Sequence, residues 1–406
     1  MYHLSTRMVS LLLTFGIFFA LSCSTFKTSS KTALDLYESG NYNNALRTVN
    51  LQIEDSPDDQ QLRILKAEIL QKIAVENYQP ENRESVYSNL RTTTDEITFS
   101  TDRYQSKTDS ILNSAWMHEQ SAGVRLLQQD GTDSFDQYFD RVIAHFKNAV
   151  TIIPDSIVTY NLMATTYYRH GNLSEAINTL EAIEDKGFTR PPETCEKLAY
   201  LYLEAGQIEQ SVKIYETLSA NNPESEIYQQ GLVNSYILGD MHTDAIALLE
   251  ELTDVYPNRV QYREALATER FYQMRHRIYD ETQNPGFETY ADQEIDELLS
   301  QLNEIGSIYR DIDETLPSSE ERQQRIAAFY VSAADMLNEL QPHVTDTASA
   351  RLTEQEEFYL RESIPYWQSL YEANSDRAAY AYSLIEVYTE LGMESEAELL
   401  EQQINF

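Results

Sequence analysis

The chain of 406 residues is poor in cysteine, in clustered positive charge, in strand patterns and in long apolar runs. Each scarcity excludes something. Only Cys23 and Cys195 are present, and Cys23 lies at the end of an N-terminal leader, so no intramolecular disulfide framework is expected. The 30 Lys and Arg are scattered among 66 Asp and Glu, for a formal net charge of -36. Nucleic acid is therefore excluded as a partner, because displacing counterions from phosphate takes clustered Lys and Arg. The acidity fits either a surface kept hydrated in saline surroundings or an ordinary soluble one. The apolar run from Met8 to Leu21 falls short of the roughly 20 residues that cross a bilayer. At this length, several domains or an elongated repeat array are expected instead of one compact core.

Motifs for chemistry are missing too. His3, His118, His145, His170, His242, His276 and His343 are scattered, with no ligand spacing to another His or Cys. "HEQSA" from His118 begins like a zinc-protease helix but lacks the second His, so no metal site is expected. "STFK" from Ser24 has the spacing of some acyl enzymes, but a tether cannot preorganise a site. There is no nucleophile elbow, phosphate loop or dinucleotide fingerprint. No catalytic residue and no cofactor are predicted. Cys195 reads as a small thiol on the inward face of a helix. The pairs Glu250-Glu251 and Glu356-Glu357 read as solvated helix surface. Most of the 28 tyrosines read as packing residues, such as Tyr167, Tyr202, Tyr215 and Tyr236; Tyr168, Tyr290 and Trp367 read as exposed rings able to stack on a sugar.

What is present is self-similarity. "YNLMATTYYRHGNLSEAINTLEAI" from Tyr160, "CEKLAYLYLEAGQIEQSVKIYETL" from Cys195 and "QQGLVNSYILGDMHTDAIALLEEL" from Gln229 align almost without gaps. Tyr167, Tyr202 and Tyr236 recur at steps of 35 and 34, as do Ala176, Ser211 and Ala245. Gly171 and Gly206 are 35 apart, Gly239 arrives one residue early, and Pro223 and Pro257 close two units. Small Ala164 or Ala199 lets a neighbouring helix approach, and the Tyr three residues on fills the gap beside it. The glycines mark helix ends, where a left-handed residue is needed, and the prolines stop the second helix.

This pattern resembles the tetratricopeptide repeat, a pair of antiparallel helices in about 34 residues. The resemblance covers Thr32 to Pro57, Phe135 to Pro257 and the last unit from Ala378. "YFDRVIAHFKNAVTIIP" reads as a second helix whose partner is Arg103 to Gln129. Between Arg259 and Ser375 there is helical periodicity without the full signature, broken near Pro285-Gly286, Pro317-Ser318 and Pro342 to Ala350. The expected fold is all-α: a tetratricopeptide-type helix-turn-helix solenoid, a right-handed superhelix, with degenerate C-terminal helical repeats. In such an array first helices line a groove. By the phase of the packing Ala, the groove residues are Asn161, Thr165, Tyr168 and Arg169, then Glu196, Tyr200 and Glu204, then Gln230, Asn234 and Leu238. Asn161, Glu196 and Gln230 stand where some relatives hold clamp lysines for a terminal carboxylate. The mixed lining suits a polar or basic protein or peptide instead.

At the N-terminus, Ala20-Leu21-Ser22-Cys23 resembles a bacterial lipobox. That implies a signal peptide over 1–22, a lipid on Cys23, a polar tether over 23–31, and membrane attachment in the bacterial envelope. Ser24 stands where an inner-membrane retention aspartate would be, which points to the outer membrane, facing the periplasm; an uncleaved anchor is the other reading. The remaining segments are 32–133, an N-terminal unit with extended helices; 134–279, the central array; and 280–406, a helical region ending in a repeat-like unit. The function expected is a non-enzymatic scaffold that docks envelope proteins. The alternative is a solute-capture lipoprotein resembling the SusD-type binders of glycans or peptides.

Overall fold

The computed structural model describes residues 32–98, 102–128, 132–315, 319–374 and 377–404. Cys23, the leader, the tether and the break at Pro317-Ser318 lie outside the described residues. The chain divides into two compact units, Met1–Ala205 and Gly206–Phe406, with the division inside the segment read as the central array. No helix among the described residues is long and apolar enough to cross a membrane.

The first unit contains α1 (Ala33–Glu38), α2 (Tyr42–Asp55), α3 (Gln60–Asn77), α4 (Glu84–Asp95), α5 (Asp102–Leu127), α6 (Thr132–Ile152), α7 (Ile157–Arg169), α8 (Leu173–Asp185) and α9 (Pro192–Glu204). It starts with a capping box: Thr32 Oγ1 accepts from the Asp35 amide at 3.2 Å, and Asp35 Oδ2 accepts from the Thr32 amide at 2.9 Å. Inner helices bury two faces. On α3, Ile69 and Ile73 pack with Ala33, Ala45 and Val49, while Ile64, Ala67, Leu70 and Ala74 pack with Tyr87, Leu90, Ile111 and Ala115. Each such large side chain contributes about 1.5–3 kcal/mol by leaving water, so a lone hairpin with one face uncovered is not stable and the pairs have to stack. As expected, α5 packs on α6 as the partner of the second helix that ends before Pro154.

A carboxylate is sealed inside this unit. Glu119 on α5 is 0% exposed. It accepts from Arg83 Nη1 and from the Tyr87 hydroxyl, each at 2.7 Å, and lies 2.6 Å from His145 Nδ1. Burial pushes the Glu119 carboxyl up, but the bonds from His145, Tyr87 and Arg83 outweigh it and hold it at about 2.

The second unit contains α10 (Ile208–Asn221), α11 (Glu226–Leu238), α12 (His242–Val255), α13 (Val260–Thr282), α14 (Asp292–Thr315), α15 (Glu320–Leu340), α16 (Asp346–Ala373), α17 (Ala378–Glu390) and α18 (Glu394–Ile404). Helices α13 to α18 share one core. Within it Phe329 meets Phe271 edge-on at 5.3 Å and Tyr309 at 4.8 Å, centroid to centroid. The break expected from Pro342 to Ala350 is shorter: Thr345 caps α16 through its Oγ1 and the chain is helical again from Asp346. Tyr290 and Trp367, expected on the surface, are only 6% and 7% exposed. Tyr290 packs edge-on against Phe287 at 4.7 Å, and Trp367 lies 6.1 Å from Tyr380, so neither is a platform for a sugar.

The turns inside the helix pairs are equivalent. At Gly40, Gly171 and Gly392 φ is 76°, 80° and 68°, and the residue after each glycine donates its amide to a carbonyl five residues back, as Asn172 does to Tyr167 at 2.9 Å. The early arrival of Gly239 has a cause. Asp240 takes the left-handed position, with φ 53°, and Met241 donates to Tyr236 at 2.9 Å. Gly239 is the preceding cap residue, where a Cβ would come within 2.9 Å of Ile208 Cγ2.

Candidate protein-docking faces

Seven of the ten expected groove residues lie in the first unit, on α7 and α9. There the two first helices face one another through three polar rungs. Asn161 Nδ2 donates to Thr194 Oγ1 at 2.8 Å. Lys197 Nζ donates to Thr165 Oγ1 at 3.0 Å. The hydroxyls of Tyr168 and Tyr200 are 3.0 Å apart, with the rings edge-on and centroids at 5.9 Å. Tyr200 is 40% exposed, and Arg169 and Glu204 are exposed beside it.

The electrostatics of this strip are mixed. The Tyr200 phenol is pushed up by its bond with Tyr168, then by burial and by Glu204. Burial pushes the half-buried Glu196 carboxyl up, with Lys197 opposing, and the same burial pushes the Lys197 ammonium down, with Glu196 opposing. The strip therefore offers hydroxyls, an amide, one ammonium, one guanidinium and two carboxylates around an aromatic pair.

Lys197 and Thr194 were not expected here. Their absence follows from carrying the repeat period of 35 directly across the groove, which sets Tyr200 opposite Thr165. Neighbouring first helices are displaced by about one turn, which is 3.6 residues, so the residue facing Thr165 is Lys197, 32 positions on.

The other three, Gln230, Asn234 and Leu238, are all exposed on α11 in the second unit, at i, i+4 and i+8. Leu238 is 61% exposed. Gln230 lines a cleft of about 300 Å³ with Glu226, Ile227, Arg259, Gln261 and Tyr262, where Glu226 pairs with Arg259 at 3.0 Å and accepts from the Tyr262 hydroxyl at 3.1 Å.

A tetratricopeptide-repeat family model matches residues 197–225, the segment that runs from Lys197 through the turn at Gly206 and α10 to Ser225. The chain carries a tetratricopeptide repeat there. Lys197, Tyr200 and Glu204 of the strip fall within it. Solved structures similar to it include Naa15/Naa10 bound to HypK-THB, with 14% identity, TM-score 0.31, and 92% of this chain and 62% of that one covered. The C-terminal part of a repeat protein from Cytophaga hutchinsonii matches with 15% identity, TM-score 0.37, and 71% and 96% covered. A tetratricopeptide repeat protein from Parabacteroides merdae matches with 12% identity, TM-score 0.31, and 84% and 98% covered. No curated protein matches the chain in sequence.

Cys195 is half-buried, and its thiol points to the Arg190 carbonyl at 3.7 Å; burial pushes it up, away from the thiolate a nucleophile needs. Glu250, expected as plain solvated surface, is paired with Arg270 at 2.8 Å, and Arg270 also reaches Glu304 at 2.9 Å. The histidines are not all scattered: the rings of His242 and His276 lie 4.9 Å apart, centroid to centroid. That contact joins two antiparallel helices, a relation that spacing within one helix does not reveal.

Proposed function

We propose that the chain is a non-enzymatic docking scaffold that holds a protein or peptide segment on the first-helix strip of its first unit. The observation that carries this reading is the Tyr168–Tyr200 pair, flanked by Thr165 with Lys197 and by exposed Glu204. Aromatic rings rimmed by polar groups are the composition of protein-binding hot spots, and the rungs hold these side chains in place before a partner arrives, which lowers the entropy lost on binding. A polar or basic segment suits the strip better than an acidic one, given the overall charge of -36.

In the same proposal the mature chain is lipidated on Cys23 and held in the bacterial envelope, at the periplasmic face of the outer membrane, where envelope proteins are its partners. The solute-capture alternative loses Tyr290 and Trp367 as stacking rings, since both are in the core.

Two experiments test this. Crosslinked envelopes should yield barrel proteins or assembly factors with the wild-type chain and lose them with the Tyr168→Ala/Tyr200→Ala double variant; equal recovery by both rejects the strip. Cys23→Ala should release the protein from the membrane fraction, and unchanged fractionation rejects the lipid anchor.

A further inference from the structure

The geometry points to a second site, in the second unit: we propose that His242 and His276 chelate a borderline transition-metal cation of the class Zn²⁺, Ni²⁺ or Cu²⁺. The argument starts from how the two imidazoles are placed. Asp240 in the left-handed conformation turns the chain so that α12 begins at His242. Helix α13 presents Glu269, Gln273, His276 and Asp280, at i, i+4, i+7 and i+11, along one face. Gln273, His276 and Asp280 border the same cleft as His242, a cavity of about 460 Å³.

Glu269 is 2% exposed and lies 2.7 Å from His242 Nδ1. When Nδ1–H donates to that carboxylate, Nε2 keeps its lone pair. The Nε2 atom is buried and has no hydrogen-bond partner in the protein. A carboxylate behind one ring nitrogen is the arrangement that orients imidazoles toward metals and raises their basicity.

The spacing of the second ring agrees. With a metal–nitrogen distance of about 2.1 Å and roughly 1.1 Å from nitrogen to ring centre, two imidazoles on a tetrahedral cation have centroids about 5 Å apart. The centroids of His242 and His276 are 4.9 Å apart with the planes at 76°. The charge around them also suits a cation: the cleft is lined by Asp240, Asp244, Asp280 and Glu281 against the single guanidinium of Arg277.

Among the described residues, no three His, Cys, Asp or Glu side chains already converge on one point. The preformed part is thus the pair of imidazole rings at chelating separation, and the remaining positions go to water or to Asp280, one turn after His276. Imidazole donors select zinc, nickel and copper over magnesium and calcium.

The test is titration of the tag-free full chain with Ni²⁺ and with Zn²⁺ at neutral pH, in excess Ca²⁺ to occupy surface carboxylates. The expected result is one saturable site, lost by at least about tenfold in affinity in His276→Ala, an exposed position whose truncation leaves the fold intact. Glu269→Gln should weaken the site by about 10- to 100-fold, the usual effect of removing such a supporting carboxylate. No saturable binding at millimolar metal overturns the proposal. So does binding that His276→Ala leaves unchanged, as when Cys195 is the ligand.

Discussion

Tyr236 donates a hydrogen bond to Glu216 at 3.1 Å, and 34 residues earlier, in the first unit, Tyr202 donates to Glu181. At the next step the partners are Arg270 and Glu250. One position of the first helix and one of the preceding second helix thus form a rung that repeats with the sequence, and the third copy exchanges a phenol for a guanidinium. The rung gives part of the tyrosine count and of the acidic spacing a shared cause: a donor on one helix fixes the next against a carboxylate.

The exchange separates two kinds of bond. Tyr236→Phe should cost about 1.5 kcal/mol, the low end of the range for a hydrogen bond to a charged group because the pair is exposed, and most of the loss should persist at high salt. Arg270→Met should cost less even at low salt, because exposed ion pairs contribute roughly 0–1 kcal/mol. Its effect should vanish near molar salt, where the screening length falls to about 3 Å. Urea denaturation at two ionic strengths checks both; equal salt dependence would contradict the assignment.

The turn at Asp240 gives a second prediction. Asp240 holds φ at 53° where Gly40, Gly171, Gly206 and Gly392 do so without a side chain. A left-handed residue with a Cβ crowds its own carbonyl, whereas glycine does not. Asp240→Gly should stabilise the second unit by about 0.5–1 kcal/mol, after the added freedom of the unfolded chain is offset. The same substitution at Asp244, inside α12, should destabilise it. A lower melting temperature for Asp240→Gly would show that its side chain does more than fill the turn.

How much was legible follows from where the signal lies. Tyr167, Tyr202 and Tyr236 with their small partners gave the period because each fills one gap in each pair, so the helix pairs and their turns were readable from residue types alone. Asp240 was not, since only backbone geometry separates it from Gly239. Lys197 is hidden by the one-turn displacement between neighbouring helices. Tyr290 and Trp367 read as surface residues because the 259–375 segment lacks the signature, and burial there depends on which helices pack. The His242–His276 contact joins two helices, a relation invisible in either helix read by itself.

Two glycines inside helices of the second unit should respond to alanine in opposite directions. At Gly231 on α11, a Cβ would come within 2.2 Å of the Tyr215 ring, and Tyr215 is only 3% exposed, so the ring has nowhere to go. Overpacking costs about 1–3 kcal/mol against roughly 1 kcal/mol of helix propensity regained, so Gly231→Ala should be a net loss. At Gly306 on α14 the nearest atom to a Cβ is Arg310 Nη1 at 3.5 Å, an ordinary contact. Gly306→Ala should therefore stabilise by about 0.5–1 kcal/mol. Thermal melts of the two variants check the pair, and a stabilised Gly231→Ala would mean that α11 and Tyr215 are less tightly fitted than they stand.

The sealed carboxylate of the first unit links stability to pH. Glu119 falls from an ordinary value of 4.5 to about 2 in the folded chain, so the unfolded chain takes up its proton first as acid is added. The stabilisation is complete above about pH 4.5 and is lost as pH falls toward 2, about 3 kcal/mol in all. Glu119→Gln removes this dependence, but it leaves Arg83, 7% exposed, without its counter-charge. Breaking a buried pair from one side costs about 3–5 kcal/mol, so the variant should be much weaker at neutral pH and lose little more in acid. Hydrogen exchange of α4 to α6 amides in the full chain, followed from neutral pH down to about 3, reads both effects. Parallel pH curves for wild type and variant would mean that the carboxylate is not the group titrating.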